Sequence, residues 1–197
     1  MTGDAYYVAT FKKRKVTVTL IAEEGDSVIG GGDFYCDTTI TLIARPVDCY
    51  HFVKWSDGKT DTVRTYTVEG NDTLYAYFAR DTFAIQVQGS EGGTVTGSGN
   101  YACGETVTLT ATAEECYQFV QWQDTISGAT YPADSCTTSD GRSYTLTLPV
   151  TGDAGYVATF EKRKVKVKLI AEEGGSVIGG GDFYCDTTIT LTARPEE

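Results

Sequence analysis

The chain has 197 residues, of which 41% are hydrophobic and 22% charged, an ordinary globular balance that argues against wholesale disorder. Its formal net charge of -11 argues against nucleic acid as a partner, because phosphate binding needs clustered Lys and Arg, and against adhesion to anionic membranes. No apolar run approaches the roughly 20 residues of a membrane helix, and no secretory leader follows Met1. As the only methionine, Met1 reads as the start of an excised fragment, so the missing leader says nothing of the parent protein.

Residues 2–11 read as the last strand of a preceding repeat, because the same words return at residues 151–160. Val16, Val18, Leu20 and Ala22 alternate with Thr17, Thr19 and Ile21. That period of two predicts a strand with one buried face. Glu23-Glu24-Gly25-Asp26 then turns the chain. Ile40, Leu42 and Ala44 form the next inward set, which Pro46 ends. Phe52-Val53-Lys54-Trp55 leads into the turn signal Ser56-Asp57-Gly58-Lys59. Thr65-Tyr66-Thr67-Val68 and Leu74-Tyr75-Ala76-Tyr77-Phe78, joined by Glu69-Gly70-Asn71-Asp72, predict a closing hairpin. No window sustains a helical period. The fold class is all-β, with five or six short strands per unit.

The unit recurs. Residues 30–55 return as residues 97–122, with Gly99, Cys103, Val107, Leu109, Ala111, Cys116, Tyr117, Phe119 and Trp122 in register, and begin again at Gly179. Residues 2–48 match residues 151–197 at 39 of 47 positions at an offset of 149, a closeness that suggests recent duplication. The spacing from Cys36 to Cys103 is 67 and from Cys103 to Cys185 is 82. The longer unit carries an insertion after Trp122, over residues 125–142, rich in the Ser, Thr, Gly and Asp of loops. The chain divides accordingly: residues 1–11 as a preceding repeat's last strand, 12–80 as the first module, 81–163 as the second, and 164–197 as the first half of a third. These are small β-sheet modules in tandem, expected to form an elongated array. Each is near the lower size limit for an independent core, so each should lean on its neighbours or on covalent staples.

The staples are the cysteines. Each full unit carries two, 13 positions apart: Cys36 and Cys49, then Cys103 and Cys116. Matched pairs in small β units predict disulfides and an oxidising compartment. Metal binding has little support, since close Cys-x-x-Cys pairs are lacking and His51 is the only histidine. The connectivity stays open. Bonds within a unit have the advantage that each unit holds its own pair. Yet an intervening strand of seven residues covers roughly 23 Å and four returning residues recover only about 14 Å, against a Cα separation of about 7 Å at most. Bonds between units, Cys49 to Cys103 and Cys116 to Cys185, are the rival. Cys136, in the insertion, has no counterpart.

Gly97-Ser-Gly-x-Tyr-x-x-Gly-Glu-x-Val-x-Leu-x-Ala111, followed by Tyr117-x-Phe-x-x-Trp122, resembles the divergent internalin-B B-repeat family. The first unit adds Trp55-Ser-Asp-Gly58 and Asp72-Thr-Leu-Tyr-Ala-Tyr-Phe78. The resemblance covers nearly the whole chain and implies an extracellular or cell-surface bacterial protein built of tandem modules. It also implies a β-grasp-like fold, a small sheet with a short helix or turn across it, and no catalytic residues. The chain departs from the family by placing Cys49 and Cys116 where Gly usually precedes Tyr, and by its insertion.

Other residues carry weak chemistry. His51 lacks a companion imidazole or nucleophile. Asp33, Asp37, Asp57, Asp61, Glu114 and Glu115 show no spacing that singles out a glycosidase pair, although Asp57 and Asp61 could share a calcium ion. Trp55, Trp122, Phe52, Phe119, Tyr50 and Tyr117 recur in register, as core positions do. Lys12-Lys13-Arg14-Lys15 and Lys162-Arg163-Lys164 mark each junction between units as solvated charge. Five Asp-Thr triplets, at Thr38, Thr62, Thr73, Thr125 and Thr187, resemble a bacterial O-glycosylation acceptor. The expectation is a non-catalytic module without cofactor or metal. It serves as a spacer, stalk or adhesin segment whose partners are its neighbouring repeats. The alternative is a host-protein- or glycan-binding module that recognises through the insertion.

Overall fold

A computed structural model describes residues 3, 4, 6–22 and 26–196. It is all-β. The chain divides into two compact units, Met1–Asp81 and Thr82–Glu197. The expected turn at Glu23, Glu24 and Gly25 lies outside the described residues.

The first unit holds seven strands: β1 (Lys15–Ala22), β2 (Ser27–Ile29), β3 (Gly32–Tyr35), β4 (Thr38–Arg45), β5 (Tyr50–Trp55), β6 (Val63–Val68) and β7 (Asp72–Arg80). The odd strands form one sheet in the order β3-β1-β7-β5, and the even strands form another in the order β2-β4-β6. Every neighbouring pair is antiparallel except the central β1 and β7, which run parallel with Val18 opposite Asp72, Leu20 opposite Leu74 and Ala22 opposite Ala76. The alternation read from the sequence faces the space between the sheets. Val16 and Val18 of β1, Leu42 and Ala44 of β4, Trp55 of β5, Val68 of β6, and Leu74 and Ala76 of β7 are buried there. The chain changes sheets at almost every turn, and the glycine run at the end of β2 shows why. Gly30 has φ +115, and a Cβ there would lie 2.2 Å from the carbonyl oxygen of Thr41. Only glycine combines that backbone with that approach.

Two expectations need correction. β6 and β7 are not a hairpin. β6 pairs with β4, and β7 pairs with β1 and β5, so the turn between them carries the chain from one sheet to the other. The three-stranded sheet also takes the place of the helix or turn that the β-grasp resemblance implied, and the described residues contain no α-helix. Short strands such as Ser27-Val28-Ile29 hold too few residues for a periodic pattern to announce them, which is why seven strands appear in place of five or six.

The second unit repeats this plan with β8 (Thr82–Gly89), β9 (Gly93–Thr96), β10 (Gly99–Ala102), β11 (Thr106–Ala113), β12 (Tyr117–Asp124), β13 (Thr130–Pro132), β14 (Thr137–Thr138), β15 (Ser143–Pro149) and β16 (Ala154–Lys162). Its sheets are β10-β8-β16-β12-β13 and β14-β15-β11-β9. The parallel pair is now β8 with β16, placing Ile85 opposite Ala154, Val87 opposite Tyr156 and Gly89 opposite Ala158. The insertion is not an open loop. It supplies β13, a single 3-10 turn at Ala133–Ser135, and β14. It thereby adds one strand to an edge of each sheet, and Tyr131, Ala133 and Cys136 pack on the core.

Beyond Lys162 the chain begins the plan a third time. β17 (Lys164–Val167) pairs with β19 (Gly181–Tyr184), and β18 (Gly175–Ile178) pairs with β20 (Thr192–Pro195). The registers are those of β1 with β3 and β2 with β4.

Leu109 is fully buried at the centre of the second core, among Val107, Phe119, Trp122 and Leu146. Leu109→Ala is expected to cost about 2–5 kcal/mol of that unit's stability. Thr108→Ala, on the exposed side of the same strand, should change it by no more than about 0.5 kcal/mol. Guanidinium denaturation of the two variants checks the contrast.

Candidate functional site

The repeated chemistry converges on the junction between one module and the next. β16 ends at Lys162, Arg163 follows, and β17 begins at Lys164. The Arg163 N–H donates to the carbonyl of Cys116 at 2.7 Å, and the Arg163 carbonyl accepts from the Cys185 N–H at 2.9 Å. Cys116 and Cys185 are joined by a disulfide across this residue, with Cα atoms 5.2 Å apart. Each cysteine is held by its strand. Cys116 comes just before β12, which pairs with β16, and Cys185 just after β19, which pairs with β17. The bond therefore clamps the strand beside the last strand of one module to the strand beside the first strand of the next.

The within-unit scheme fails in the second unit, where Cys116 bonds Cys185 rather than Cys103. Cys36 is a free thiol, against its place among the disulfide candidates, and so is Cys136. Cys49 and Cys103 are not free. The reason lies in the sheet order. Cys36 follows β3 and Cys49 precedes β5, at opposite edges of a four-stranded sheet. Three strand spacings of about 4.8 Å place those edges roughly 14 Å apart, twice the reach of a disulfide.

The first unit preserves the same hydrogen bonds. The Asp81 N–H donates to the Cys49 carbonyl at 2.8 Å, and the Cys36 N–H donates to the Arg14 carbonyl at 3.0 Å. Cys49 and Cys116 have φ of 72° and 68°. This left-handed backbone accounts for glycine as the family's usual choice there, and a β-carbon in it costs roughly 1–2 kcal/mol.

Charge flanks the junction without forming a catalytic array. Lys162 Nζ lies 6.0 Å from the Tyr117 ring centroid, and Lys164 Nζ lies 5.3 Å from that of Tyr184. A groove of about 500 Å³ runs between Gln118, Glu161, Lys162, Lys164 and Tyr184. A second, of about 310 Å³, borders Glu114, Glu115, Arg142 and Arg163. Both are open and polar.

The remaining sequence candidates are dispersed. His51 is exposed, with Nδ1 2.6 Å from Asp81 Oδ1. Asp33 accepts from the Thr17 hydroxyl at 2.7 Å. Asp57 is engaged by both terminal nitrogens of Arg64, at 2.7 and 2.6 Å, so its carboxylate already has a cation and is not set to share calcium with Asp61. The Arg64 guanidinium beside Asp57 holds that carboxyl below its usual range. Trp55 and Trp122 are fully buried in the two cores, as their recurrence in register implied. Of the acceptor threonines, Thr62, Thr73, Thr125 and Thr187 are exposed and Thr38 is half-buried.

Sequence reading missed one polar cluster. Arg64 stands opposite Leu42 in the β4–β6 register, the place that Leu146 holds opposite Leu109 in the second unit. Its guanidinium carbon lies 5.7 Å from the ring centroids of both Trp55 and Tyr66, while the Tyr66 hydroxyl donates to the Asp72 carboxylate. An arginine in an alternating strand beside an acidic turn was the available signal. It is a structural network, bordered by an open, polar groove of about 350 Å³ that Arg64 lines with Lys59, Asp61, Val63 and Thr65.

Among known proteins, the family model described as the divergent InlB B-repeat domain matches twice, over residues 16–82 and 83–164. No curated protein and no solved structure matches.

The site yields two predictions. The hydrogen bond to Asp72 pushes the Tyr66 hydroxyl up from 10.0 to about 12, so the fold favours the neutral phenol. That contribution is whole below pH 10 and is lost as pH rises from 10 towards 12. Tyr66→Phe should therefore be less stable than the parent at pH 8, with the gap narrowing between pH 10 and 12 in a urea series. The junction disulfide closes a loop with a sequence separation of 69, a constraint of roughly 4 kcal/mol in the chain-entropy model. Reduction, or Cys116→Ser, should speed protease cleavage within residues 164–196 and leave the core around Trp122 protected, as peptide mapping would show.

Proposed function

The chain belongs to the divergent InlB B-repeat family, and from that premise we propose that it is a non-catalytic segment of a bacterial surface or secreted protein. Its role in this reading is mechanical: a spacer or adhesin stalk that carries another domain away from the cell. The observation that supports it is the junction. A strand at the centre of one module's sheet passes through a single residue into the first strand of the next. Two backbone hydrogen bonds and a disulfide span that residue. Tension along the chain would meet paired strands and a covalent clamp instead of a slack linker. Disulfides of this kind persist in oxidising surroundings, which fits an extracellular setting. No helix among the described residues is long and apolar enough to cross a membrane.

The insertion supports a second reading, because Ile126 stands exposed near the start of it and could meet a host protein or glycan. One exchange separates the two. Residues 125–142 are replaced by the short turn of the first unit, and both proteins are tested on host-protein and glycan arrays. A spacer gives no captured ligand in either form and a folded exchange variant. A ligand held by the parent chain and lost on exchange would replace the spacer reading with the binding one.

A further inference from the structure

The clamp at the junction has a third group beside it that the disulfide does not use. Asp186 follows Cys185, and the sulfurs of Cys116 and Cys185 lie with an Asp186 carboxylate oxygen all within 4.8 Å of one another. Among the described residues no hydrogen bond or ion pair engages that carboxylate. A turn holds it in place: the Thr187 N–H donates to the Tyr184 carbonyl at 3.1 Å, and Asp186 has φ 63°. That backbone does not by itself call for a carboxylate, since Gly104, which follows Cys103, has φ 79° at the corresponding position. The group runs from buried Cys116 through half-buried Cys185 to exposed Asp186. Cys116 also borders the groove of about 310 Å³ that Glu114 and Glu115 line. An ion in solvent therefore has a path to the sulfurs.

We propose that, when the disulfide is reduced, Cys116, Cys185 and Asp186 bind zinc(II), which then staples the same two strands. This goes beyond the spacer reading and does not depend on it. Reduction places two electrons and two protons on the sulfurs. With a phosphine as reductant, phosphorus takes the oxygen of one water molecule and becomes the oxide, and that water supplies both protons. Zinc then displaces the two thiol protons to solvent. The geometry suits the ion. Zinc bonds thiolate sulfur at about 2.3 Å and carboxylate oxygen at about 2.1 Å, so a tetrahedral site keeps its ligand atoms roughly 3.5–4 Å apart. With Cα atoms 5.2 Å apart, the two released sulfurs need to part by less than about 2 Å. Three protein ligands leave the fourth position to water. Soft thiolates select zinc over magnesium or calcium, and a zinc site contributes to folding outright. The junction thus has one staple for oxidising surroundings and a second for reducing ones.

Anaerobic metal titration of the whole chain tests it, in a Cys36→Ser, Cys136→Ala background that removes the two free thiols. The chain is reduced with a phosphine, which is removed before metal is added. Cobalt(II) is the first probe, because thiolate ligation gives it a charge-transfer band and a tetrahedral site gives it strong visible bands. The reduced chain should show both, and zinc should bleach them. Reduced Cys116→Ser reports any ion held by Cys49 and Cys103, and its bands should be weaker by one ion per chain. Asp186→Asn keeps both cysteines and a residue that tolerates the left-handed backbone. It should bind zinc about tenfold more weakly, or worse. Protease mapping reads the staple itself: one equivalent of zinc should restore protection of residues 164–196 in the reduced chain and not in Cys116→Ser. A reduced chain without the thiolate band, an equal band in Cys116→Ser, unchanged zinc affinity in Asp186→Asn, or residues 164–196 still cleaved with zinc bound overturns the proposal.

Discussion

The parallel pairing of a module's first strand with its last governs the rest of the structure. β1 with β7, and β8 with β16, occupy the centre of a four- or five-stranded sheet, flanked on both sides by antiparallel neighbours. Parallel neighbours require a long crossover, and here the crossover is the remainder of the module, which builds the second sheet on the way. The closing strand contributes residues that the core cannot replace, Leu74 and Ala76 in one unit and Tyr156, Ala158 and Phe160 in the other. Residues 164–196 form two two-stranded sheets, β17-β19 and β18-β20.

The same pairing sets the path out of the module. Because the last strand lies at the sheet centre, the chain leaves beside strands already in place, and the next sheet begins one residue later at Lys164. Cysteine placement follows from this geometry. A bond within a module would have to cross two central strands, whereas a bond across Arg163 joins residues that the hydrogen-bond ladders already bring together. The left-handed backbone at Cys116 is a strain that glycine would relieve, and the covalent clamp across the junction offsets it.

Much of the fold was legible because burial leaves a period of two. Val16, Val18, Leu42, Ala44, Trp55 and Trp122 all occupy the inward positions that alternation and in-register recurrence assigned them. Which strands share a sheet was not legible. Alternation reports a buried face but not a partner, and two apolar strands joined by Glu-Gly-Asn-Asp look alike whether the turn folds them together or carries the chain to the opposite sheet. The parallel pair was hidden for a related reason, since its members are more than fifty residues apart and nothing in their sequences marks direction. At the site, the cysteine spacing permitted both connectivities, and the distance argument that disfavoured the within-unit bond was the sound one. It needed only the knowledge that β3 and β5 stand at opposite edges. Arg64 escaped notice because an arginine in a strand reads as an outward residue, while here its guanidinium lies against two rings with Asp57 as counter-ion.

The insertion shows how two units with one plan solve one problem differently. An edge strand presents unpaired backbone groups that invite unwanted pairing. In the first unit, the turn after β5 folds back on itself: the Trp55 N–H donates to the Lys59 carbonyl at 2.7 Å, and the Trp55 indole donates to the Asp61 carbonyl at 3.0 Å. In the second unit that short turn is gone. β13 pairs with β12, placing Tyr131 opposite Trp122, and β14 pairs with β15. The Trp122 indole nitrogen is left buried with no partner among the described residues, a cost on the order of 1–3 kcal/mol. Two added edge strands and the packing of Tyr131, Ala133 and Cys136 act against it. The exchange covers the outer edges of β12 and β15 with the short strands β13 and β14, and that places the insertion with the architecture of the sheet before any role its exposed tip could add.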